Sequence, residues 1–241
     1  MTANPVALVT GSTRNIGLAT AEALLRAGFD VAVNGRAARF DLAGLSHIAQ
    51  AHGGAVAHFA GDMFDAAAIA AVFAQLEARF GRLDALINNA SIREEAPFER
   101  IALSDWHRVL QRQLDGLFLT TQAALPLLRR SPRARIVNIG GLSGHKGARG
   151  RAHVVTLKAA VAGFTRALAS EFDQPGMTVN TVVPGSIETL RTGPDPGHLR
   201  DTGGRRFGRP EEVAFIVAKL CEDGAGYVNG QTIHVNGGSH L

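Results

Sequence analysis

The sequence predicts a doubly wound α/β fold, a parallel sheet of roughly seven strands with helices on both faces. Three observations predict it. Short apolar, β-branched runs alternate with helix-length segments from one end of the chain to the other. Those runs are apolar at successive positions rather than at every second one, as strands covered on both faces are. The intervening segments are rich in Ala and Leu and tend to end at glycine, which takes the left-handed conformation that closes many helices.

The first strand is VALVT (6–10), and a glycine-containing turn leads from it into a helix that ends at residue 28. VAVN (31–34) and AVAHFA (55–60) follow as the second and third strands. DAAAIAAVFAQLEARFG (65–81) has the apolar spacing of a helix and a terminal glycine. LDALIN (83–88) and ARIVNI (134–139) are the fourth and fifth strands. RAHVVTLKAAVAGFTRALASEF (151–172) is one long apolar helix with a single lysine in its early turns. MTVNTVVP (177–184) and TIHVN (232–236) complete the sheet.

A chain of 241 residues, 46% of them apolar, buries a large core and fits a single domain spanning residues 1–241. One cysteine, Cys221, precludes an internal disulfide and suits a reducing compartment. The N-terminal residues lack the pattern of a signal peptide, and no apolar run approaches the ~20 residues of a membrane span. A cytoplasmic protein without membrane attachment is expected. The formal net charge is +4, and Lys146, Lys158 and Lys219 are the only lysines. Arginine clusters at 129–135 and 191–210 lack interleaved aromatics, so solvated loops are expected there rather than nucleic-acid binding. The apolar-poor stretch at 190–210 follows a strand on the side where such sheets bind ligands, and it is expected to act as a substrate lid.

The turn after the first strand, TGSTRNIG (10–17), aims backbone N–H groups and the positive end of a helix at a phosphate. Gly11, Ser12, Thr13, Arg14, Asn15, Ile16 and Gly17 form this candidate dinucleotide site. Asn15 is among the residue types that best tolerate φ > 0, so a tight turn can be kept there. The second strand ends VAVNGR with no acidic residue to receive a ribose 2′-hydroxyl. Arg36 follows directly, and with Arg14 it offers two guanidinium groups to a 2′-phosphate. NADP(H) is therefore favoured over NAD(H).

Four motifs in order, TGSTRNIG (10–17), NNAS (88–91), VVTLK (154–158) and PGSIET (184–189), resemble the short-chain dehydrogenase/reductase family and its Rossmann fold over nearly the whole chain. The ending YVNGQTIHVNGG is similar too, and the 3-oxoacyl carrier-protein reductase branch is the nearest likeness. The resemblance implies that Asp62 and Met63 border an adenine. It places Asn89, Ala90 and Ser91 near a ribose, and Pro184, Gly185, Ile187 and Thr189 near a nicotinamide. It also implies a homodimer or homotetramer.

The catalytic positions depart from the family pattern. Aligned on Lys158, the family's tyrosine falls on Val154, its serine on Gly141 and its asparagine on Gln113. Neither valine nor glycine can donate a proton or stabilise an oxyanion. Lys158 and Gln113 are the candidate catalytic residues that keep polar side chains. Ser143 and His153 are further candidate donors, and His145, Lys146 and Asp115 lie nearby in sequence. Tyr227, the sole tyrosine, falls in the C-terminal segment.

Two functions follow from this pattern. One is an NADP(H)-dependent hydride transfer to a small or acyl-linked carbonyl, imine or activated alkene, with the basic 191–210 stretch favouring an anionic substrate. The other is a catalytically silent NADP(H)-binding relative acting as sensor, scaffold or inactive partner subunit. Non-redox chemistry ranks last, because no paired carboxylates or metal-ligand spacing support it.

Overall fold

The computed structural model describes residues 4–172, 174–190 and 206–240. Seven parallel strands form one sheet in the order β3-β2-β1-β4-β5-β6-β7. These are β1 (Val6–Val9), β2 (Asp30–Gly35), β3 (Val56–Ala60), β4 (Ala85–Asn88), β5 (Arg135–Ile139), β6 (Thr178–Pro184) and β7 (Thr232–Val235). Every strand expected from the sequence is present. The order reverses between β1 and β4, which opens a crevice at the carboxyl ends of those strands.

The helices are α1 (Asn15–Arg26), α2 (Ala43–Ala51), α3 (Ala66–Phe80), α4 (Leu103–Leu128), α5 (Ser143–Lys146), α6 (Ala152–Glu171) and α7 (Pro210–Cys221). Strand period divides the core into two layers. In β1, Ala7 and Val9 face a cluster with Leu24 and Leu25 of α1 and Val213 and Val217 of α7. Val6 and Leu8 face the opposite cluster, with Leu76 of α3 and Leu127 and Leu128 of α4. β1 is thus apolar on both faces because each face has its own helical layer.

A buried polar chain ties the second layer to the sheet. Asn88 donates to Asn138 at 2.8 Å, Asn138 donates to Thr165 at 2.8 Å, and the hydroxyls of Thr165 and Thr181 are 2.6 Å apart. These bonds satisfy side chains that would otherwise cost free energy on burial, and they fix α6 against β5 and β6. Gly144 has the same effect at α5, since a Cβ there would stand 2.6 Å from the backbone of Lys158. The expected lid falls mostly on residues 191–205, which lie outside the described residues.

Candidate functional site

The crevice is a cleft of about 1070 Å3 at the carboxyl ends of β1, β2 and β4. Gly11, Thr13, Arg14, Asn15, Ile16 and Gly17 form its floor. Gly11 has φ 60°, and Asn15, at φ 52°, is the one non-glycine with positive φ among the described residues, as its position in the turn predicts. A Cβ on Gly17 would come within 2.5 Å of the Gly11 carbonyl oxygen, so only glycine lets the turn close this tightly. Ser12 is turned inward. Its hydroxyl donates to the Val9 carbonyl at 2.6 Å and accepts the Asn34 N–H at 2.9 Å.

Two asparagines brace the turn. Asn34 accepts the Gly11 N–H at 3.1 Å and donates to the carbonyls of Phe59 and Gly61. Asn89 donates to the carbonyls of Thr10 and Gly11, both at 2.9 Å. The sequence reading missed Asn34; a polar residue ending a fully buried strand was the available signal. Because its amide is spent on the turn, Asn34 does not stand in for the acidic ribose acceptor.

These residues fit a dinucleotide. No side chain caps the N-terminus of α1 and its first turn holds no acidic residue, so its N–H groups and dipole face the cleft without a competing charge. Arg14 and Arg36 line the same end, both exposed, and neither forms an ion pair among the described residues. Thr189 lines the cleft with a buried hydroxyl oxygen that has no hydrogen-bond partner among the described residues. Met63 and Asp62 also line it, and Asp62 pairs with Arg112 at 2.7 Å. Pro184, Gly185 and Ile187 lie at and just after the end of β6 and do not line the cleft.

The opposite end is formed by the loop after β4, with Ala90, Ser91, Ile92 and Arg93 in the wall. Gln113 of α4 is buried, and its carbonyl oxygen accepts the Ile92 N–H at 3.0 Å. Its amide nitrogen donates to the Ser91 hydroxyl at 3.0 Å. Gln113 therefore anchors the loop after β4 to α4. Asp115 lies two residues further along the same helix and outside the cleft wall.

Lys158 is 8% exposed. Its ammonium donates to the Ile139 carbonyl at 3.4 Å, and among the described residues no carboxylate pairs with it. Burial pushes its pKa down to about 8, with a further contribution from the charge of Arg93. Gly141 faces the lysine stem, and a Cβ there would meet Lys158 Cγ and Cδ at 3.4 Å, an ordinary contact.

Val154 is 5% exposed and packs with Val109 and Leu157, flanked by Ile92, Leu110 and Leu114. The position of the family's tyrosine is thus part of an apolar seam between α4 and α6. Ser143 begins α5, and His153 is 1% exposed with Nδ1 unpartnered among the described residues; neither lines the cleft. His145 packs edge-on to His234, with ring centroids 4.6 Å apart, and His234 lies 5.8 Å from His240. Among the described residues, no group of three or more His, Cys, Asp or Glu is arranged to hold a metal ion. Tyr227 is fully exposed beside the amino end of β6, where Gly230 bonds to Val179, at the far end of the sheet from the cleft.

Comparison with known proteins gives consistent matches along the chain. A family model described as enoyl-(acyl carrier protein) reductase matches residues 11–240. The chain is 38% identical to a 3-oxoacyl-(acyl-carrier-protein) reductase FabG of Aquifex aeolicus, over 97% of this chain and 96% of the relative. It is 38% identical to a 3-oxoacyl-(acyl-carrier-protein) reductase of Synechocystis, with the same coverage. It is 34% identical to the FabG protein of Escherichia coli, over 98% of this chain and 97% of the relative. No helix among the described residues is long and apolar enough to cross a membrane.

Proposed function

Because the chain belongs to the short-chain dehydrogenase/reductase family of oxidoreductases, we propose that it uses NADP(H) to reduce or oxidise a small or acyl-linked carbonyl, imine or activated alkene. It does so without the family's tyrosine and serine. The observation that carries this reading is the cleft itself: an uncapped helix N-terminus and tight glycine turn flanked by Arg14 and Arg36.

The turn 11–17 and the N-terminus of α1 would hold the pyrophosphate, and Arg14 and Arg36 the 2′-phosphate. Asn89, Ala90 and Ser91 border the ribose, and Thr189 offers its unpartnered hydroxyl near the nicotinamide. When bound, NADPH supplies a hydride. The protein's contribution is position and charge. The braced floor and the anchored loop after β4 fix two walls against each other, and holding reactants in a productive geometry lowers the barrier substantially. Lys158 is the protonatable group that survives from the family's set, and its lowered pKa makes it a better proton donor than an exposed lysine. Substrates whose product is protonated easily by water, or which are already cationic, need the missing tyrosine least.

Titration of the purified protein with NADPH and with NADH, followed by nicotinamide fluorescence, tests the cofactor assignment. NADPH is expected to bind at least tenfold tighter, and Arg14→Ala with Arg36→Ala to erase the difference, since a charge-assisted hydrogen bond is worth ~1.5–3 kcal/mol. Failure of either nucleotide to bind at millimolar concentration removes the redox reading.

The silent-relative reading is supported by Val154, whose packing in an apolar seam leaves no polar group at the tyrosine position. Binding of NADPH without turnover on a broad carbonyl and imine panel supports that alternative. Introducing Val154→Tyr with Gly141→Ser is expected to create carbonyl reductase activity if only the donors are missing, and a Cβ at position 141 meets only ordinary contacts.

A further inference from the structure

We propose that Asn15 is a positioning residue for the nicotinamide half of the dinucleotide, holding Thr189 in the cleft through a two-bond clasp on the Leu190 backbone. The inference rests on the NADP(H) reading above and gives Asn15 a task beyond shaping the phosphate turn.

The clasp joins two segments that the sheet holds apart. β6 stands three strands from β1, with β4 and β5 between them. Three strand spacings amount to about 14 Å, and six extended residues reach up to about 20 Å. Residues 185–190 can therefore carry the chain from the end of β6 back to the turn after β1, and they do. There the Asn15 amide nitrogen donates to the Leu190 carbonyl at 3.1 Å, and the amide oxygen accepts the Leu190 N–H at 2.8 Å. A planar amide carries a donor and an acceptor side by side, so one side chain satisfies both backbone groups of one residue.

The same segment is fastened on the other side of Thr189. Glu188 N–H donates to the Gly208 carbonyl at 2.8 Å, and Gly208 N–H to the Ser186 carbonyl at 2.9 Å. Ile187 is buried in the cluster that holds Ile16 of α1. Thr189 sits between these fastenings and the clasp, and it lines the same cleft as Asn15 and Leu190. Its buried hydroxyl oxygen has no partner among the described residues, and a buried polar atom in that state is a group for a ligand to satisfy. Holding Thr189 in place before the cofactor arrives reduces the ordering cost of binding. Loss of the clasp frees the chain beyond Thr189 and returns that cost to the binding step.

Calorimetric titration with NADPH and with adenosine 2′,5′-bisphosphate separates the two tasks of Asn15, because the bisphosphate keeps the phosphates but lacks the nicotinamide half. The wild type is compared with Asn15→Gly, Thr189→Val and the double variant. Asn15→Gly is expected to bind NADPH about fivefold more weakly, with its affinity for the bisphosphate within about twofold of the wild type. Thr189→Val is expected to weaken NADPH by about fivefold or more. The double variant should bind NADPH within about twofold of Thr189→Val alone, because Asn15 acts through Thr189. Equal weakening of both ligands by Asn15→Gly overturns the inference, since Asn15 then only shapes the turn. NADPH affinity unchanged in Asn15→Gly overturns it too, as do losses that multiply in the double variant. A wild type that binds neither ligand removes the NADP(H) reading and the inference with it, whereas failure of the inference alone shows against a wild type that binds both.

Discussion

The side-chain amide of Gln113 donates to the hydroxyl of Ser91 at 3.0 Å. Ser91 closes the NNAS motif, and Gln113 falls where the resemblance implies an asparagine. In the folded protein they are partners. The longer amide reaches both the hydroxyl and the Ile92 N–H, and it fastens the loop after β4 to helix α4.

That pairing predicts a coupled loss. Gln113→Leu leaves the Ile92 N–H without its partner and is expected to cost ~1 kcal/mol in urea unfolding, while Ser91→Ala costs less. The double variant should cost less than the two single changes added together, because both remove the same bond. Simple additivity would show that the contact carries no energy.

Asn15 holds a left-handed backbone while its side chain donates to the Leu190 carbonyl at 3.1 Å and accepts the Leu190 N–H at 2.8 Å. Asn15→Gly keeps the backbone freedom and loses both bonds. Asn15→Ala loses the bonds and adds ~1 kcal/mol of left-handed strain. Chemical denaturation should therefore rank wild type above Asn15→Gly above Asn15→Ala, and an inverted order of the two variants would sink the argument.

Burial of the Lys158 ammonium lowers stability. Its folded pKa of about 8 lies below the unfolded value of 10.5, so between these the unfolded chain binds more protons. Stability attributable to this group rises with pH across that window and is lowest below pH 8. Lys158→Met is expected to raise the thermal midpoint at pH 7 and to flatten the rise above pH 8. If Lys158 supplies the proton, the reduction rate of the wild type falls as pH passes through about 8, and the variant loses turnover while still folding.

The histidine cluster sets an acid limit. His145 is lowered by burial and by the charges of His234, His240 and Arg166, and His234 by burial and His240. Their folded pKa values lie below the unfolded value of 6.5. Stability from these groups is complete above pH 6.5 and declines as pH falls through the folded values, because the unfolded chain then binds more protons. Thermal midpoints measured from pH 7.5 to 5 should drop, and His145→Gln with His234→Gln should shrink that drop. An unchanged slope in the double variant would exclude the cluster as its source.

The sequence by itself determined the sheet, its seven strands and the location of the phosphate turn. These depend on local pattern: apolar runs bounded by turns, and a glycine-rich turn between strand and helix. The positive φ of Asn15 belongs here too, because the steric demand at that position is local. Only the tertiary structure decided what the atypical residues do. Gln113 and Ser91 are 22 residues apart and meet through the packing of α4 beside β4, which no periodicity records. Asn34 is an unremarked polar residue in the sequence and becomes a brace because β2 lies beside β1 and β3. Val154 is one apolar residue among many on α6 until α4 covers it. Charge coupling between Arg93 and Lys158 likewise arises from the juxtaposition of two segments 65 residues apart. Pattern specifies elements because backbone sterics and burial periodicity act over a few residues. The electrostatics and hydrogen bonds of a site depend on which elements the fold brings together.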